Sequence, residues 1–136
     1  MNILVIGDSC VDHFVYCIVD RLCPEAPVPV LRPYQTTSNS GMAGNVARNL
    51  TSLGAGVDLT TNDVNIRKTR YVDNKSGQMI MRLDEEDSCE QVTPGQLDVD
   101  YSLYDAVVIS DYNKGFLTID DINRVADSAG CPVFLD

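Results

Sequence analysis

Residues 40–56 read Ser-Gly-Met-Ala-Gly-Asn-Val-Ala-Arg-Asn-Leu-Thr-Ser-Leu-Gly-Ala-Gly, and the rest of the chain is organised around them. The stretch opens with a small-residue turn and continues as an amphipathic helix. Met42, Val46, Leu50 and Leu53 recur at helical spacing on one face, and Asn45, Arg48, Asn49 and Ser52 fall elsewhere. Gly54 is placed to end the helix in the left-handed conformation. Ser40, Gly41, Ala43 and Gly44 surround Asn45 with small side chains, so a ligand can approach the backbone where a helix start offers unpaired N–H groups. By itself the pattern reads first as an ordinary loop-to-helix junction.

Strand patterns lie on both sides of this helix. Asn2–Ile6 is a continuous apolar run ending at Gly7-Asp8, which predicts a buried parallel strand. Val57–Thr61, Ala106–Ser110 and Pro132–Asp136 read the same way, and a second helix starts at Thr118. Thr118 is its cap, Asp120 and Asp121 lie in its first turn, and Ile119, Ile122, Val125, Ala126 and Ala129 are its inward face. Gly130 ends it. Strands alternating with helices predict an α/β domain with a parallel sheet. In such sheets ligands sit beyond the strand C-termini, which gathers Asp8, Asp12 and Asp111 to Lys114 at one rim. Asp8 and Asp12 are read there either as ligand contacts or as caps of the turn after the strand.

Two further regions read as strands outside that sheet. Phe14–Val19 and Val28–Tyr34 are two short strands joined by a proline-stiffened connection. Prolines at 24, 27, 29 and 33 exclude a helix and push the second strand to an edge. Thr61–Asn65 is a short polar link. Arg67–Val72 and Gln78–Leu83 then form a hairpin around a polar, glycine-containing turn. Alternation groups Lys68, Arg70 and Val72 on one face, and Gln78, Ile80 and Arg82 on one face. These basic residues are suited to a phosphate, or form a solvated face opposite the acids Asp84 to Asp87. Pro94–Tyr104 has room for a short helix.

Composition narrows the function classes. The chain has 136 residues and a net charge of −10, which argues against a general nucleic-acid or anionic-membrane binder. No apolar run approaches the roughly 20 residues of a bilayer span, and the start lacks the form of a signal peptide, so a cytoplasmic protein is expected. The five cysteines form no CxxC, and the single histidine, His13, has no cysteine at metal-ligand spacing, so free thiols and no metal site are expected. His13 is a packing or surface residue. No phosphate loop, dinucleotide fingerprint or nucleophile elbow occurs.

Taken in order, the segments VIGDSCVDHFVY, RLCPEAPVPV, GMAGNVARNLTSLGA, RKTRYV with QMIMRLDEED, VVISDYNKGFL and CPVFLD resemble the ribokinase-like (PfkB) carbohydrate kinases. Within that family they are most similar to the heptose phosphate kinases of lipopolysaccharide-precursor synthesis. Cys23 stands where the family pattern has serine, and Met42 stands where it has a second glycine. The resemblance implies a single domain over residues 1–136, truncated relative to the family, with a small β lid at roughly 13–37 and 66–84.

The resemblance also implies residue roles. Asp12 matches the aspartate that bonds sugar hydroxyls, and Gly41, Met42 and Asn45 match the sugar-binding turn. Lys68, Arg70, Gln78, Arg82 and Asp84 match the hairpin that closes over a sugar phosphate. Asp111 and Lys114 match a rim near the phosphoryl-transfer region. The lid implies a homodimer interface, and a complementing C-terminal half is a further partner.

ATP and Mg²⁺ are the implied cofactors, but the family's nucleotide site, anion hole and catalytic base would lie beyond Asp136, which leaves no catalytic residue to name here. A strand–helix unit that the family carries before its lysine–threonine–arginine segment is replaced by Thr61–Ile66. Gly54–Asp58 imitates an anion hole, but it leaves a helix and enters a strand instead of opening a helix. The expected function is an ATP-dependent sugar or sugar-phosphate kinase represented by its sugar-binding half. The alternative is a non-catalytic sugar-phosphate-binding or interaction module derived from one.

Overall fold

A computed structural model describes residues 1–63 and 66–136. Positions 64 and 65 of the polar link expected after Thr61 lie outside the described residues.

The chain builds two four-stranded sheets. The first contains β1 (Asn2–Gly7), β4 (Gly56–Thr60), β7 (Ala106–Ser110) and β8 (Val133–Leu135) in the order β4-β1-β7-β8, all parallel. Its β1 is apolar and buried from Ile3 to Ile6 because both of its faces are covered there. Ile3 and Val5 pack with Ala43 and Ala47 of α1 (Ala43–Ser52) on one side. Leu4 and Ile6 pack on the other with Val107, Ile109, Phe116 and Val125, the last from α2 (Ile119–Ser128). The expected parallel sheet with helices on both faces is present.

The second sheet contains β2 (Ser9–Ile18), β3 (Arg32–Met42), β5 (Arg67–Asp73) and β6 (Met79–Glu85) in the order β3-β2-β5-β6. β2 pairs antiparallel with β3 and parallel with β5, and β5 pairs antiparallel with β6. This is the lid, and it is larger than the sequence suggested. Its first strand begins at Ser9, with only Asp8 between it and the end of β1 at Gly7. Its second runs from Arg32, well past Tyr34, and absorbs Ser40 and Gly41, which were expected in a turn. Val28 and Val30 stay outside the strand: the prolines leave only an isolated bridge between Leu22 and Pro29. The strand keeps the expected edge position.

Several expected faces shift. Leu53 is 84% exposed because it caps the C-terminus of α1; the face turned to the sheet is formed by Ala43, Gly44 and Ala47, with Val46 and Leu50 partly buried. Ile119 and Ala126 are exposed, and α2 packs through Val125, Ala129 and the half-buried Ile122. Thr118 caps α2 as expected, in a capping box with Asp121. Gly54 and Gly130 follow their helices at φ 91° and 61°. In place of a helix over 94–104 there are two 3₁₀ turns, Pro94–Gln96 and Tyr101–Leu103, each too short for an α-helical turn to propagate.

Between the sheets, Cys10, Met42, Ile66 and the partly buried Cys89 form a small sulfur-rich cluster. The short link is tied to both sheets: the Thr61 hydroxyl donates to the Gly7 carbonyl at the end of β1 at 2.7 Å, and Asn62 Oδ1 accepts from the Ser9 N–H at the start of the lid at 2.7 Å.

Candidate functional site

Cross-strand register sets the lid's inner face. Asn39, Asp12, Lys68 and Asp84 lie side by side in one row across its four strands. Thr37, Phe14, Arg70 and Arg82 form the next row on that face. Opposed residues point the same way and alternate along each strand, so Cys10, Asp12 and Phe14 face inward together. The start of α1 and the loop after β7 complete a cleft of about 460 Å³, to which Gly41, Met42, Asn45, Arg48 and Tyr112 contribute. Asp12 therefore stands in the middle of a lid strand and not at the rim of the parallel sheet. The rim was expected because Asp12 follows β1 so closely, but the chain leaves that sheet at Asp8 and re-enters strand geometry at Ser9.

The cleft is strongly polar. Arg70 pairs with Asp12, and its guanidinium lies 5.2 Å from the centre of the Phe14 ring. Arg82 grips Asp84 through two contacts of 2.8 and 2.9 Å. Arg48 donates to the Asn45 and Asn39 side-chain oxygens at 2.7 and 3.3 Å. Beneath this layer, burial and the Asp12 carboxylate raise the Cys10 thiol above its usual range. Gly41 has no room for a side chain, since a Cβ there would press into the Asp12 carboxylate and Cys10 Sγ. Met42 sits at φ 55° and ψ −133°, a conformation that favours glycine, and its side chain is buried among Cys10 and Ile66.

Of the residues singled out in the sequence, Asp12, Gly41, Met42, Asn45, Lys68, Arg70 and Arg82 line this one cleft. Asp84 stands behind Arg82. Gln78 does not share the face of Arg82: a bulge pairs Val72 with Met79 and Tyr71 with Met81, which shifts the alternation, and Gln78 falls in the exposed turn.

Asp8 acts structurally. Its fully buried carboxylate accepts from the N–H groups of Tyr112, Lys114 and Phe116 at 2.9, 3.1 and 3.2 Å, and so shapes the loop after β7. Within that loop Asp111 accepts from the Asn113 N–H at 2.9 Å, and Lys114 Nζ lies 2.7 Å from Asp87. Among the described residues no group of three His, Cys, Asp or Glu side chains is arranged to hold a metal ion.

The sequence reading did not single out Asn39, Arg48, Phe14 and Tyr112 as part of this site. Phe14 and Asn39 were recoverable only from the alternation and register of the lid. Arg48 had one local signal, its place three residues after Asn45 on the same helix.

No family model matches the chain. The bifunctional protein HldE of Caulobacter sp. (strain K31) is 38% identical over 170 residues, covering 99% of this chain and 34% of the relative. The bifunctional protein HldE of Sulfurimonas denitrificans is 35% identical over 151 residues, covering 86% of this chain and 31% of the relative. The phosphofructokinase-2 of Escherichia coli in complex with fructose-6-phosphate superposes with a TM-score of 0.65 at 14% identity, covering 98% of this chain and 54% of that one. The Arabidopsis thaliana ribokinase complexed with ribose and ATP gives 0.59 at 16% identity, covering 98% and 52%. The chain is a homologue of HldE with the ribokinase-like (PfkB) fold.

This ribokinase-like chain spans about a third of the length of the curated relatives it matches and about half that of the solved structures. Its alignment with the Caulobacter relative runs to 170 positions against 136 residues, so that relative carries residues with no counterpart here. No helix among the described residues is long and apolar enough to cross a membrane.

Proposed function

We propose that this ribokinase-like chain provides the sugar-phosphate-binding part of an ATP-dependent carbohydrate kinase, with a heptose phosphate as the substrate class. The observation that carries this reading is the lid cleft. One carboxylate (Asp12), two amides (Asn39 and Asn45) and the cations Lys68, Arg70 and Arg82 face the same space. Carboxylates and amides bond sugar hydroxyls, and a cluster of cations bonds a phosphate. In the kinase reading Asp111 and Lys114 border the phosphoryl-transfer region, and ATP and Mg²⁺ are the cofactors. Phosphoryl transfer is mostly positioning and charge stabilisation, so a rigid sugar cradle is one of its necessary parts.

Met42 supports a second reading, a non-catalytic sugar-phosphate-binding module. A bulky residue at φ 55° inside the sugar turn is a departure that a binding protein tolerates more readily than an enzyme that must align a hydroxyl for attack. The back of the lid, where Met81 and Leu83 are exposed, supports pairing of two copies through the lid, and the net charge gives no support for a nucleic-acid partner. The site of action under either reading is the cytoplasm.

Calorimetry with a panel of heptose and hexose phosphates, followed by incubation with ATP and Mg²⁺, tests both readings. Binding with turnover supports the kinase, and binding without turnover supports the module. Absence of binding to every sugar phosphate overturns both.

A further inference from the structure

Two aromatic residues border the lid cleft, Phe14 of β2 and Tyr112 of the loop after β7. They differ in what covers them. The Phe14 ring has the Arg70 guanidinium 5.2 Å from its centre. No cation lies over the Tyr112 ring among the described residues, and Tyr112 is 48% exposed. Its hydroxyl has no hydrogen-bond partner among them either. The hydroxyls of Tyr101 and Tyr104, by contrast, donate to the Leu97 carbonyl and the Asp58 carboxylate at 3.0 and 2.7 Å.

The backbone beneath Tyr112 is closely held. Its N–H donates to the buried Asp8 carboxylate at 2.9 Å, and the Asp111 N–H before it donates to the Asp136 carbonyl at 3.1 Å. Two residues on, the Lys114 carbonyl accepts from the Cys89 N–H at 2.9 Å, and Phe116 is packed into the core. The ring is therefore exposed because a well-anchored loop presents it. A half-exposed tyrosine on a fixed backbone offers contact area at little cost in conformational freedom, since only two side-chain torsions remain to be fixed on binding.

The rest of the lining is chemically different. Asp12, Asn45 and the cations are hydrogen-bonding groups; Cys10 and Met42 are buried, and Phe14 is covered by Arg70. A cyclic sugar has hydroxyls around its rim and a face made largely of C–H groups. The polar walls suit the rim, and Tyr112 is the lining residue with apolar surface left for the face.

We propose that Tyr112 is a specificity-determining residue whose ring packs against the C–H face of the bound sugar, so that the cleft prefers the cyclic form of a sugar phosphate to an open chain. This rests on the reading of the cleft as a sugar-phosphate site and adds the group that reads the shape of the carbon skeleton. The contact is apolar and dispersive, so the ring carries it and the hydroxyl does not.

The test compares a heptose 7-phosphate with the open-chain heptitol 7-phosphate made from it by borohydride reduction, using calorimetry on the full chain. The two ligands share the phosphate and the carbon number and differ in the ring. The unmodified protein is expected to prefer the cyclic ligand. Tyr112→Ala should reduce that preference about tenfold, the effect of losing roughly 50 Å² of apolar contact. Tyr112→Phe should keep it. The sequence contains no tryptophan, so Tyr112→Trp supplies a single indole whose emission should change on saturation with the heptose phosphate. Tyr112 is half exposed, so its variants are expected to fold, and circular dichroism checks this.

An unchanged preference in Tyr112→Ala overturns the proposal while leaving the cleft as a sugar-phosphate site. So do equal losses for both ligands in that variant, a Tyr112→Phe variant that behaves like Tyr112→Ala, an indole blind to bound ligand, or equal binding of both ligands by the unmodified chain. If neither ligand binds the unmodified chain, the reading of the cleft itself falls, and the role of Tyr112 with it.

Discussion

Arg70 of β5 reaches across to Asp12 of β2, pairs with its carboxylate and lies over the Phe14 ring two residues further along that strand. The two side chains are separated by 58 residues in sequence and are joined by the parallel β2–β5 pairing. Their bond fixes the Asp12 carboxylate inside the cleft and leaves its remaining lone pairs for a hydroxyl donor. Asp12→Ala should weaken sugar-phosphate binding by tenfold or more, since a hydrogen bond to a charged group contributes about 1.5–3 kcal/mol. The pair is partly solvated, so the stability lost should stay near 1 kcal/mol. Calorimetry and urea melts measure the two effects separately. Equal affinity in the variant would remove Asp12 from the site.

Gly41→Ala should act through Asp12. The added methyl has nowhere to go except against the Asp12 carboxylate and Cys10 Sγ, and both are side-chain ends that can turn aside. The expected outcome is a folded protein with a displaced Asp12 and an affinity loss close to that of Asp12→Ala. A variant that binds as tightly as the original shows that the cleft does not depend on this close approach.

At Met42 the usual order of destabilisation should reverse. Backbone strain at φ 55° costs about 1–3 kcal/mol for a residue with a Cβ. Met42→Ala loses the buried side chain and keeps that strain, so it should cost about 2–5 kcal/mol. Met42→Gly loses the same packing but relieves the strain, and should be at least about 1 kcal/mol more stable than the alanine variant. Chemical denaturation of the two variants side by side decides it. An alanine variant equal to or better than glycine would show that the backbone at 42 relaxes freely.

The start of α2 predicts a pH dependence. Asp121 is held below the usual aspartate range, first by the Thr118 hydroxyl, which donates to its carboxylate at 2.6 Å. A depressed carboxylate contributes stability above its unfolded value, near pH 4, and that contribution is lost as pH falls through the lower folded value. Thr118→Ala should cost about 1 kcal/mol at neutral pH and flatten the stability profile below pH 4. Parallel thermal melts from pH 2 to 7 test it, and identical slopes in both proteins would count against this linkage.

Cys89 should be a slow thiol. Burial is the main cause, with the Asp8 carboxylate adding to it, and together they raise its pKa to about 11. Iodoacetamide at pH 8 should therefore label Cys89 far more slowly than the same thiol after unfolding, as read by peptide mass spectrometry. A raised thiol pKa contributes stability below its unfolded value, near 9, and this is lost as pH rises toward 11. Rapid labelling in the native state would contradict the geometry around Asp8.

Some of this protein was legible locally. Asn2–Ile6 and Ala106–Ser110 read as buried strands because both faces of the parallel sheet are covered, which forces a continuous apolar run. The start of α2 was visible in Thr118 and Asp121 because a cap is a contact between residues three apart. The faces were less secure. Leu53 and Ile119 suited the apolar stripes but sit at helix ends, where the chain turns away from the sheet and periodicity no longer reports burial.

The sequence by itself determined the strand–helix alternation, the glycine stops after α1 and α2, the basic hairpin and the likeness to ribokinase-like kinases, all of which rest on neighbouring residues or ordered motifs. Only the tertiary structure decided that Asp12 belongs to the lid, that Gln78 leaves the cleft, that Arg48 enters it and that Met42 adopts a glycine-like backbone. The reason is physical. Periodicity and capping act over a few residues, whereas the cleft is set by the register of β2 against β3 and β5 and by the bulge in β6. In a sheet a one-residue shift sends every side chain to the opposite face, so the membership of such a site follows from long-range pairing that no local pattern records.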